Sequence, residues 1–110
     1  YNIQHKTTGF KVKNSYQFSI KTFIKRINGK EMYGPYSDEY NIDFFIFEII
    51  DFKHNFYIIP ISIMIEKGYI KTSKQKGRMN IKVPHPKVGT KSNWMSEYLN
   101  KFELLQTTAV

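Results

Sequence analysis

Residues 71–78, Lys71-Thr72-Ser73-Lys74-Gln75-Lys76-Gly77-Arg78, interleave four cations with two hydroxyls and an amide. Lysine and arginine neutralise phosphate oxygens, and Ser, Thr and Gln side chains can donate hydrogen bonds to them. Lys71, Lys74, Lys76 and Arg78 are therefore candidate nucleic-acid contacts, joined by Lys25 and Arg26 nearer the N-terminus. Other chemistries find less support. His5, His54 and His85 are far apart and lack the spacing of a metal site. Ser19, Ser62 and Ser73 stand outside any G-x-S-x-G elbow, and neither G-x-G-x-x-G nor G-K-[ST] occurs. Tyr33 and Tyr36 flank Gly34-Pro35 and could stack on bases, although packing within a loop is their commoner use.

Charge is sorted along the chain. Residues 1–30 hold Lys6, Lys11, Lys13, Lys21, Lys25, Arg26 and Lys30 and no acid. Residues 31–66 hold seven acids against Lys53 alone, and residues 67–96 hold eight bases and again no acid. The net charge of +8 is thus two basic blocks around an acidic centre, and a polyanion would be drawn to the outer blocks.

At 110 residues the chain has room for a single domain with one core, and 16% aromatic content argues against disorder. Cysteine is absent, which excludes disulfides, thiolate zinc sites and a cysteine nucleophile and fits an intracellular, reducing location. No run approaches the ~18 apolar residues of a membrane span, so no membrane partner is expected. Fifteen Ile, fifteen Lys and eight Asn against two Arg and one Ala suggest an AT-biased genome, such as that of a mitochondrion or plastid. Such bias can raise lysine content without selection for binding, but it does not account for the segregation of sign.

Several elements must position these residues. Residues 11–23 read as one extended segment, Asn28-Gly29 as a turn and Gly34-Pro35 as the start of a loop. Residues 43–50 (DFFIFEII) are too uniformly apolar for a half-exposed strand and suit a central strand buried on both faces. After a polar turn at 51–55, residues 56–61 (FYIIPI) form a second strand, close enough for a hairpin. A short helix over 62–67, capped by Ser62 and stopped by Gly68, precedes a flexible basic loop over 71–77. Residues 79–83 form a strand ended by Pro84-His85-Pro86. Trp94, Tyr98, Phe102 and Leu105 recur at helical spacing, which predicts a core-facing helix over 93–105 capped by Asn93.

Tyr16-Gln17-Phe18-Ser19-Ile20-Lys21-Thr22, then Tyr40-Asn41-Ile42-Asp43-Phe44-Phe45-Ile46-Phe47, then Phe56-Tyr57-Ile58-Ile59-Pro60-Ile61, and last Trp94 to Leu99, follow one another in a suggestive order. Over roughly residues 1–105 this order resembles the later part of a PD-(D/E)XK nuclease domain, in the branch of intron-type endonucleases and small restriction-like proteins. The resemblance implies an α+β fold: a mixed β-sheet with a central buried hairpin flanked by helices, the restriction-endonuclease-like core. It also implies that residues 1–110 are the C-terminal part of a larger domain whose first, acid-bearing helix precedes Tyr1. Carried over by position, Lys21 is the lysine that orients the attacking water, Ser19 stands where the family has an acid or Gln, and Asn2 where it has Asp. Both replacements remove negative charge from a magnesium site, and no confident metal ligand remains within the chain.

Two expectations follow. The first is a nucleic-acid-binding domain of this nuclease type, acting on DNA or RNA, in which cleavage would need Mg2+ and acids from elsewhere. The second is a non-catalytic RNA-binding or scaffold subunit of a larger assembly, such as an organellar ribosome or polymerase, with a homodimer as a further option. A small basic ribosomal-type protein of unrelated fold is also open.

Overall fold

The computed structural model describes residues 1–8, 11–50, 55–86 and 93–106. Within them the chain is mostly strand. β1 (Ile3–Thr8), β6 (Phe44–Ile49) and β7 (Phe56–Pro60) form one sheet in the order β1-β6-β7, with β1 parallel and β7 antiparallel to the central β6. β2 (Lys11–Val12), β3 (Ser15–Ser19) and β8 (Asn80–Pro84) form a second, antiparallel sheet. β4 (Lys21–Ile27) and β5 (Lys30–Pro35) pair only with each other.

Strand parity builds the core. Phe45, Phe47 and Ile49 alternate along β6 and are fully buried, and Tyr16 and Phe18 on β3 and Ile81 and Val83 on β8 answer them from the second sheet. Phe18 meets Phe47 edge to face at 5.0 Å between ring centroids. Burying each such ring contributes about 1.5–3 kcal/mol. Tyr57 ties the sheets together with a polar bond, its buried hydroxyl donating to the Pro84 carbonyl oxygen at 2.9 Å.

These observations overturn the helix-flanked α+β, restriction-endonuclease-like architecture expected from the sequence. Among the described residues the only α-helix is α1 (Ile61–Glu66), six residues long. Pro60 lies directly before it, and Gly68, at φ +85°, follows its end. Ser62 does not cap it, because the helix opens one residue earlier: the Ile61 N–H already donates to the Asp43 carbonyl oxygen at 2.9 Å.

The expected helix over 93–105 is two 3-10 turns, Trp94–Tyr98 and Phe102–Leu105. Asn100, at φ +53°, separates them. Its N–H donates to the Phe56 carbonyl oxygen at 2.6 Å, and its Oδ1 accepts from the Phe56 N–H at 2.9 Å. Completing the β7 edge in this way takes precedence over continuing a helix. Asn93 does cap its turn, with Oδ1 accepting from the Met95 N–H. None of the described helices is long and apolar enough to cross a membrane. The turn expected at 51–55 lies largely outside the described residues.

Candidate nucleic-acid interface

Residues 11–23 are not one strand. Lys13, at φ +57°, turns β2 into β3, and the chain leaves the sheet after Ser19 to enter β4. Asn28 and Gly29 have φ of +51° and +78°, the pair of positive values that a type I′ hairpin turn requires. The sequence showed this turn, but Gly34-Pro35 closes β5 rather than opening a loop. Asn-Gly between two strand-length runs was the signal for the whole hairpin.

The pairing register sorts the hairpin's side chains. Phe23 faces Tyr33 and Lys25 faces Met32, so Ile24 is an extra, bulged residue. Lys21, Phe23, Arg26, Glu31 and Tyr33 share one face; Thr22, Lys25, Ile27, Lys30 and Met32 share the other. The first face is satisfied internally. Arg26 pairs with Glu31 at 3.1 Å, the Tyr33 hydroxyl donates to Glu31, and the Lys21 ammonium lies 4.9 Å from the Tyr33 ring centroid. The Glu31 hydrogen bond, reinforced by its negative charge, raises the Tyr33 hydroxyl above its ordinary pKa. Lys25 and Lys30, on the second face, make no ion pair with a described residue.

The basic segment 71–78 is an ordered turn, not the flexible loop expected. The Arg78 N–H donates to the Tyr69 carbonyl oxygen, and Thr72 and Gln75 exchange backbone hydrogen bonds inside that closure. Gln75, expected to reach phosphate, instead donates through Nε2 to the carbonyl oxygens of Ile65 and Ile70 at 2.9 and 2.6 Å. Gly77, at φ +74°, passes so close to Lys71 that a Cβ would lie 2.6 Å from its backbone nitrogen. Lys71, Lys74, Lys76 and Arg78 are all exposed.

A parallel bridge between Ser37 and Lys71 brings this turn to the base of the hairpin. The Lys71 N–H donates to the Tyr36 carbonyl oxygen at 2.8 Å, and the Asp38 N–H donates to the Lys71 carbonyl oxygen at 2.9 Å. Between the two elements lies a cleft of about 690 Å³, walled by Ile24 and Gly34 on one side and Lys71, Thr72 and Ser73 on the other. Asp38 and Glu39 also line it, so its floor is mixed in sign. Lys71 is the one cation among its described lining residues; Lys25 and Lys30 stand further along the hairpin, toward its tip, and Lys74 and Lys76 on the turn, none of them in an ion pair with a described residue.

The remaining candidates are dispersed. Ser19 is exposed at the end of β3, opposite Asn80. Asn2 is held through its backbone, donating its N–H to Asp43 Oδ2 at 2.8 Å and accepting from the Asp43 N–H. Thr22 lines a separate pocket with Asn2. Strand alternation sends Lys21 to the opposite face, over Tyr33. One hydroxyl, one amide and a cation do not fit magnesium, which favours carboxylates. Among the described residues no three His, Cys, Asp or Glu side chains gather as a metal site. His5 pairs with Glu48 at 3.0 Å, His85 sits beside Tyr16, and His54 lies outside the described residues. Tyr36 is buried and bonded to Lys6 and Gln4, which leaves Tyr33 as the exposed ring.

No family model matches the sequence, and no curated protein matches it either. Among solved structures the chain is similar to the crystal structure of MepB, with a TM-score of 0.68 and 24% identity. The match covers 88% of this chain and 68% of that one. At that identity the likeness shows a shared fold and nothing further.

Proposed function

We propose that this chain is a nucleic-acid-binding domain that grips the phosphate backbone and does not cut it. One observation carries the reading: the Ser37–Lys71 bridge sets the base of the β4–β5 hairpin, which bears Lys25 and Lys30 of the first charge block, against the basic turn of the third. Exposed lysines without carboxylate partners can displace the cations condensed on the phosphates of a nucleic acid, and the release of those ions drives binding. Asp38 and Glu39 in the cleft would repel phosphate, so the backbone rides outside it, on the hairpin and the turn. Binding without cleavage agrees with the neutral oxygens that Ser19 and Asn2 offer in place of acids, and with their separation from Lys21.

The test is a titration of labelled DNA with the purified chain from about 50 to about 200 mM salt, repeated with magnesium. The expected result is affinity that falls linearly on a log–log plot, with the nucleic acid left intact. Absent or salt-insensitive binding would sink the reading. Magnesium-dependent nicking that Lys21→Ala abolishes would replace it with an enzymatic one.

A further inference from the structure

We infer that the β4–β5 hairpin is a ribbon that enters the major groove of B-form DNA, with the 71–78 turn resting on a flanking phosphate strand. This rests on the nucleic-acid reading above and narrows it to a duplex and a groove.

Among the described residues neither hairpin strand joins another sheet, and the hairpin leaves Ile24, Ile27 and Met32, on or beside the face that carries Lys25 and Lys30, between 41% and 50% exposed. A lone two-stranded hairpin is marginal in water, and so many exposed apolar side chains on one imply a partner. Charge selects that partner. Lys21, Lys25, Arg26 and Lys30 outnumber Glu31, so the hairpin carries a net +3, four positive against one negative. A second copy docked hairpin to hairpin would set like charges together, whereas DNA neutralises them.

Shape selects the groove. Two strands about 4.8 Å apart, with their side chains, match a major groove roughly 12 Å wide, which admits a two-stranded ribbon. The deep, narrow major groove of A-form RNA does not. The face bearing Lys25, Ile27, Lys30 and Met32 turns toward the bases. It lacks the Arg26–Glu31–Tyr33 network of the opposite face, and Gly34, which shares it, opens on the cleft beside the 71–78 turn. Ile27 and Met32 meet thymine methyl groups there, and Lys25 and Lys30 reach guanine O6 and N7 or the adjoining phosphates.

Dimethyl sulfate footprinting of the wild-type chain on a mixed-sequence DNA duplex reads both grooves at once. Guanine N7, in the major groove, is expected to be protected and adenine N3, in the minor groove, to stay reactive. The double variant Lys25→Glu, Lys30→Glu is expected to bind at least ten-fold more weakly, with the salt slope reduced by about 2. Its circular dichroism should match wild type, because both side chains are exposed. Lys74→Glu with Lys76→Glu should weaken binding yet keep the N7 protection. Salt-dependent DNA binding without N7 protection, equal affinity for duplex RNA, or an unaffected hairpin variant overturns the groove assignment and leaves the wider reading standing. No DNA binding at all, including the case of a hairpin-dependent dimer in sedimentation, overturns both.

Discussion

Replacing Tyr57 by Phe removes one oxygen from a position with no exposed surface. That oxygen carries the 2.9 Å bond to the Pro84 carbonyl, which joins the two sheets through β7 and β8. Losing a buried hydrogen bond costs about 1–3 kcal/mol. Pro84 also pairs with Ser15 in the β3–β8 ladder, which favours the lower half of that range. At roughly 4–8 °C per kcal/mol for a domain near this size, the melting midpoint should fall by about 5–10 °C. The pH dependence gives an independent check. Burial pushes the Tyr57 hydroxyl up to about 12, from an ordinary value near 10. Between those values the unfolded chain releases the proton and the folded chain holds it, so stability falls as pH rises. This contribution is complete below pH 10 and is lost as pH climbs through about 12. Deprotonating lysines affect wild type and Tyr57→Phe alike, and the difference between them isolates Tyr57. Urea unfolding from pH 7 to about 11.5, followed by Trp94 fluorescence, should show a gap that is constant below pH 10 and narrows above it. A midpoint change below about 1 °C, or a gap that stays constant to the highest pH, would refute the reasoning.

Other substitutions probe the remaining joints. Gly77→Ala forces a left-handed residue against the Lys71 backbone, so it should cost at least ~1–2 kcal/mol and speed hydrogen exchange at the Arg78 N–H. Asn100→Ala should destabilise the fold by about 1–3 kcal/mol in urea unfolding, while Asn100→Gly, freed of backbone strain, should recover part of it; full recovery in Asn100→Gly would mean the side-chain bond to Phe56 contributes nothing. Phe47→Ala opens a cavity between the sheets and should cost about 3–5 kcal/mol, read as a large drop in thermal midpoint.

What could be read from the sequence depended on how local the deciding interaction was. The apolar run at 43–50 holds the central strand β6, and the run after it is β7, its antiparallel neighbour, because segments dominated by Phe and Ile need burial whatever lies elsewhere. Asn28-Gly29 announced its turn through backbone sterics alone. The segment 93–105 misled because Trp94, Tyr98, Phe102 and Leu105 satisfy a helical stripe, yet a distant unpaired edge at Phe56 recruits Asn100. Segment 71–78 looked flexible for a related reason: the carbonyl groups that hold Gln75 belong to Ile65 and Ile70, and composition does not reveal such partners. The charge blocks were plain in the sequence. The meeting of the hairpin's base with the basic turn was not, because it rests on one bridge between residues 34 positions apart, Ser37 and Lys71.

That meeting is the central claim, and the salt dependence of duplex DNA binding tests it most directly. Wild type should be compared with the hairpin variant Lys25→Glu, Lys30→Glu, the turn variant Lys74→Glu, Lys76→Glu, and the two combined. If both elements share one phosphate-gripping face, each pair lowers the slope of log affinity against log salt by about 2, and the combination by about twice that. A slope that neither pair changes, or that only one pair changes, would contradict a single interface built from both charge blocks.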